Sequence, residues 1–127
     1  MRKTVISLVI ALMTVGFFAT GPVSQASSPG DMTVKGEIVD LPCYEGKNGA
    51  RGESHKTCAL SCAKRGNQLA IVDDQNTVYV ITGDYAANKN EKLVPFVAEM
   101  VEATGAVTEK DGKKFLAVSA IKKAETK

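Results

Sequence analysis

Val5 to Ala19 is an apolar stretch broken only by Ser7, Thr14 and Gly16, and it stands behind a short positive start, Arg2-Lys3. Gly21 and Pro22 break a helix there. Ser24-Gln25-Ala26 then places small residues at the two positions a signal peptidase reads. This order of charge, apolar run and small residues is that of a cleavable secretory signal over residues 1–26. The apolar run falls short of the ~20 residues a membrane-spanning helix needs. No cysteine lies near the expected cut, so no lipid anchor is expected. Cleavage leaves 101 of the 127 residues, enough for one domain with a modest core.

The signal also carries the whole charge imbalance. Without Arg2 and Lys3 the remaining chain has 14 Lys and Arg against 14 Asp and Glu. A balanced domain gives no reason to expect a nucleic-acid partner or an acidic membrane surface. With no second apolar run of spanning length, no stable membrane insertion is expected after cleavage. Export implies a periplasmic or secreted protein, where thiols become disulfides or metal ligands. Three cysteines cannot all pair within one chain, so at least one is left over.

Ser27 to Met32 reads as a disordered, polar lead-in, and residues 33–123 as the domain. Thr33 to Leu41 alternates as a strand, with Gly36 allowing a bulge or tight bend. Pro42 to Gly52 reads as loop. Ser54 is a good N-cap and Gly66 a good C-terminal stop, which predicts a helix over Ser54 to Arg65. Gln68–Val72 and Thr77–Thr82 predict a hairpin around Asp73-Asp74-Gln75-Asn76. A helical turn is expected at Leu93–Val97, kept short by Pro95.

A second hairpin turns at Glu109-Lys110-Asp111-Gly112. Val101, Ala103, Gly105 and Val107 share one face, with Phe115, Ala117, Ser119 and Ile121 in step. The apolar opposite face of Leu116, Val118 and Ala120 suggests a strand covered on both sides. The Lys-rich end after Ile121 reads as solvated tail. The predicted fold is mainly β: a small five-stranded OB-like Greek-key barrel with an inserted helix between strands one and two. An α+β sandwich is the alternative. Such barrels host many activities, so the fold does not choose a function.

The pointed chemistry is the set Cys43, His55, Cys58 and Cys62. On a helix, His55, Cys58 and Cys62 stand at i, i+3 and i+7, within an arc of roughly 60°. Cys43, at the end of the first strand, can approach across the loop. Thiolate and imidazole together suit Cu(I) or Zn(II), and Cys₃His is an accepted closed zinc set. Lys56, Lys64, Arg65 and the helix start are expected to favour thiolate.

The spacing is not that of a standard zinc finger. The plain alternative is a disulfide from Cys43 to Cys58 or Cys62, worth ~3 kcal/mol, with His55 a partly buried histidine. Thiol-redox chemistry is a third reading, although no Cys-x-x-Cys is present. No orienting residue or oxyanion motif marks a Cys–His nucleophile, so no catalytic residues are assigned and no enzyme is expected. Gly46, Gly49 and Gly52 lack the context of a phosphate loop. The few aromatics, without a basic stripe, make a poor single-strand platform.

The string Gly36-Glu37-Ile38-Val39-Asp40-Leu41-Pro42-Cys43, followed by His55-Lys56-Thr57-Cys58-Ala59-Leu60-Ser61-Cys62-Ala63-Lys64-Arg65-Gly66, resembles a group of small exported bacterial proteins. Val101 to Val107 and Ile121 also match, so the likeness covers nearly all of the mature chain. Its Cys…His-x-x-Cys-Ala-x-x-Cys core is the most specific part. The group has no settled activity, so the resemblance implies an OB-like fold and one shared Cys/His site, not a reaction. The expectation is therefore a periplasmic soft-metal protein that handles Cu(I) or Zn(II), or delivers it to another exported protein. The runner-up is a disulfide-stabilised, non-catalytic module that binds a protein or small ligand.

Overall fold

The computed structural model describes residues 30–125. The expected signal, residues 1–26, and the start of the lead-in lie outside them. Among the described residues no helix is long and apolar enough to cross a membrane.

The described residues are mainly β, with five strands: β1 (Asp31–Asp40), β2 (Leu69–Val72), β3 (Val78–Thr82), β4 (Met100–Lys110) and β5 (Lys113–Lys123). β1 begins inside the segment expected to be disordered. The strands hydrogen-bond in the order β1-β2-β3-β5-β4, and β4 returns to β1, so the sheet closes into a ring. β1 can serve two neighbours because it is long. Its first half pairs with β4, from Asp31↔Ala106 to Glu37↔Met100, and its second half with β2, from Glu37↔Val72 to Asp40↔Leu69. At the changeover the chains nearly touch. A Cβ on Gly36 would meet the Val72 carbonyl and lie 2.8 Å from the Ile71 methyl. The glycine therefore marks a close approach and not a bulge.

The hairpins follow their turn chemistry. Asp73 Oδ1 accepts from Gln75 N at 2.9 Å and Thr77 N at 2.7 Å, closing the β2–β3 turn. The β4–β5 turn needs only Asp111 and Gly112, both left-handed at φ 54° and 73°, as a type I′ turn requires. Lys122 and Lys123 continue β5 and are not a loose tail.

β5 does not keep the expected step with β4. The register with β4 slips between Thr104 and Gly105, where Ser119 is passed over and its hydroxyl donates to Thr104 O at 3.0 Å. Because side chains alternate with a period of two, this bulge inverts the phase. Val107 and Gly105 therefore face Leu116 and Val118, while Ala103 faces Ile121. Leu116 and Val118 are buried; Ala117, Ser119 and Ala120 are exposed, so β5 is covered on one face only. The strand buried on both faces is β2, all four of whose residues are inaccessible.

Two apolar clusters explain that. Ile38, Leu69, Ile71, Ile81, Val101 and Leu116 belong to the larger cluster, inside the ring. Val39, Leu41, Ala70, Val72 and Val80 form the second, with Tyr44 and Phe115 against it. Tyr44 and Leu41 come from α1 (Leu41–Gly46), a short helix in a stretch expected to be loop. Asp40 explains it: its carboxylate caps the helix and Pro42 falls in the first turn.

The second helix starts later than expected. Glu53–His55 forms a 3₁₀ turn, and α2 runs Lys56–Lys64. Ser54 does not cap it. α2 puts Ala59 and Ala63 into the inner cluster. Because Asp40 pairs with Leu69 and Glu37 with Met100, both long connections, 41–68 and 83–99, leave the same end of the ring. α2 and the 3₁₀ turn Val94–Phe96 cover that end, with Leu93 and Val97 in the core.

Candidate metal centre

That covered end carries the thiols. Cys43 sits in the first turn of α1, directly after β1, where its backbone N donates to Asp40 Oδ2 at 3.2 Å. Cys58 and Cys62 are i and i+4 on α2, the spacing at which helical side chains meet. The Sγ atoms of Cys43, Cys58 and Cys62 lie within 4.8 Å of one another. All three are free thiols. Cys62 is buried, Cys43 half-buried and Cys58 exposed, so the group opens to solvent along Cys58.

The two cysteines of α2 are thus not both turned inward. Ala59, Cys62 and Ala63 make the buried face of α2, and Cys58 lies at its edge. Thr57, Ser61, Lys64 and Arg65 are exposed, as the helical periodicity predicts. His55 is half-buried in the 3₁₀ turn ahead of α2. It is outside the three-sulfur group but lines, with Cys43 and Cys58, a cavity of about 10 Å³ between β1 and the two helices. That space is near the minimum for one water. The structure therefore brings three of the four expected ligands together, with the imidazole at the wall beside them.

The donor set suits a soft ion. In tetrahedral zinc, with Zn–S about 2.3 Å, sulfurs stand about 3.8 Å apart. From separations of at most 4.8 Å, side-chain rotation of about 1 Å per pair closes the site.

The electrostatics run against the expectation of ready thiolates. Cys43 is pushed up from the ordinary 9.0 to about 12, first by its hydrogen bond with the Asp40 side chain, then by burial and the Asp40 charge. Cys62 is raised chiefly by burial, with Asp40 and Cys58 adding to it. Arg65 opposes this through Nη2, 3.7 Å from the Cys62 sulfur, but does not prevail. Lys56 is engaged elsewhere, 2.8 Å from Glu99 and 3.5 Å from Glu53. The neighbouring carboxylate outweighs the neighbouring cations.

Asp40 is the site residue that sequence reasoning missed. It is only 2 % exposed. Along β1 it shares the inward face with Val34, Gly36 and Ile38 by alternation. Its Oδ1 is buried without a hydrogen-bond partner among the described residues, a condition that costs about 1–3 kcal/mol and more for a charge. The signal was present: Asp-x-Pro-Cys is a capped helix start that delivers Cys43.

Two contacts hold the surroundings. Glu37 Oε1 accepts from Gly52 N, tying the 47–52 loop to β1 beside the cavity. Asn90, 3 % exposed, donates through Nδ2 to Ala63 O at 3.0 Å and Asn67 O at 2.8 Å, fixing the C-terminal end of α2. Comparison with protein-family models, curated proteins and solved structures finds no match to this chain.

Proposed function

We propose that this protein binds a soft transition metal, Cu(I) or Zn(II), through Cys43, Cys58 and Cys62, with His55 as the fourth ligand. Its task is metal handling in the periplasm or outside the cell, or delivery to another exported protein. The observation that carries the reading is the meeting of three thiols from two helices within 4.8 Å. Thiolates are the ligands these ions prefer, and the exposed position of Cys58 gives the ion an entry and exit. The ring order β1-β2-β3-β5-β4 supports reading the domain as a Greek-key barrel of the OB type. The signal-like residues 1–26 support export.

Metal analysis paired with a thiol count tests the function. The reduced protein is expected to take up one equivalent of metal and to protect three thiols from a thiol reagent. One free thiol without reductant, and no metal taken up after full reduction, would end the metal reading in favour of a disulfide-held binding module. Intact mass of the exported chain, expected to start at or near Ser27, tests the localisation separately.

A further inference from the structure

We propose that Asp40 biases the three-thiol site toward a divalent ion of the zinc class and against Cu(I). The inference rests on the metal reading above and adds the residue that discriminates between the two ions. Asp40 is 2 % exposed, and its Oδ1 has no hydrogen-bond partner among the described residues. Its Oδ2 holds the backbone of Cys43, so the carboxylate is fixed beside the first thiol. The same residue lines the cavity that Cys43, His55 and Cys58 share. A buried, unpartnered acceptor next to a ligand set is completed by positive charge.

Charge counting gives the direction. Three thiolates and one carboxylate make four negative charges. Cu(I) offsets one of them, and a divalent ion offsets two. Arg65 donates to the Cys62 sulfur and to Ser61 O. Arg51 lines the cavity with Asp40, but no ion pair joins either arginine to Asp40 among the described residues, so a bound metal adds positive charge on the Asp40 side. Asp40 acts by its field and by placing Cys43. It lies outside the 4.8 Å sulfur group, so it is a specificity-determining residue and not one of the three sulfur ligands. For scale, one more unit charge on an ion ~5 Å from any carboxylate, at an effective dielectric of ~20, corresponds to on the order of a hundredfold in relative affinity.

The test is competition of the reduced protein for Zn(II) and for Cu(I) against chelators of known affinity, in wild type, Asp40→Asn and Asp40→Ser. Asn and Ser both cap helices, so two uncharged variants keep α1 started, and circular dichroism verifies their fold. Both are expected to lose Zn(II) affinity relative to Cu(I) by about tenfold or more. A merely structural role would weaken both metals alike, and an unchanged ratio in both variants overturns the inference while leaving the metal site standing. Cys58→Ser separates the two ideas. If wild type takes up neither ion, or Cys58→Ser binds both as tightly as wild type, the metal reading and this inference fall together.

Discussion

At the scale of single residues, the three thiols occupy different environments within one group. Cys58 is exposed, Cys62 buried, and Cys43 held under a carboxylate. Alkylation of the metal-free protein near pH 8 should therefore label Cys58 first, by about tenfold or more over the other two. Peptide mass mapping reads the order, and equal rates at all three would contradict the arrangement. Cys43 also makes the fold sensitive to alkali. Its pKa is raised to about 12 from 9.0, so the native state favours the protonated thiol. The stabilisation is complete below pH 9 and is lost as pH rises from about 9 through about 12. Asp40→Asn removes the leading cause, so its denaturation midpoint should fall less steeply across that range than wild type. Identical slopes would dissociate Cys43 from Asp40.

At the scale of elements, α2 depends on a neighbour far along the chain. Asn88, Lys89 and Asn90 are all left-handed, at φ 51°, 57° and 59°, a conformation unfavourable for side-chain-bearing residues but tolerated by Asn. The two hydrogen bonds from Asn90 to the carbonyls of Ala63 and Asn67 hold this turn against α2. Asn90→Ala strands those carbonyls and keeps the strained φ, so a loss of about 2 kcal/mol or more is expected in urea unfolding. A change within about 0.5 kcal/mol would show that the carbonyls find other donors. Nothing local in the sequence announces this link, because its partners lie more than twenty residues apart. Features set by nearest neighbours were legible: the Asp73 turn, Asp111-Gly112, and the Cys58–Cys62 spacing. The bulge at Ser119 was not. Strict alternation set Phe115 and Ala117 in step with Gly105 and Val107, where the register pairs Val118 and Leu116. The start of α2 was misplaced for a similar reason. Ser54, expected as the cap, and His55, expected on the helical face, both lie in a 3₁₀ turn after Gly52, at φ 83°.

At the scale of the whole molecule, the site lies in the long connection between β1 and β2 and joins two helices with different duties. α1 covers the second apolar cluster outside the ring, while α2 closes its end. The strand pairings do not pass through the thiols, so the ring should fold without metal, and an ion should clamp α1 to α2. Binding to the native state alone adds RT ln(1 + [L]/Kd), about 2.7 kcal/mol at a hundredfold excess over Kd. For a domain of this size that corresponds to a rise in Tm of about 10 °C or more. Adding Zn(II) to the reduced protein should produce that rise, and a chelator should reverse it. Hydrogen exchange should locate the effect. Amides of residues 41–68 should slow on binding, while those of the β2–β3 and β4–β5 turns at the opposite end should change little. Zn(II) that left the Tm unmoved, or protected the distant turns and not 41–68, would place the ion elsewhere than between the two helices.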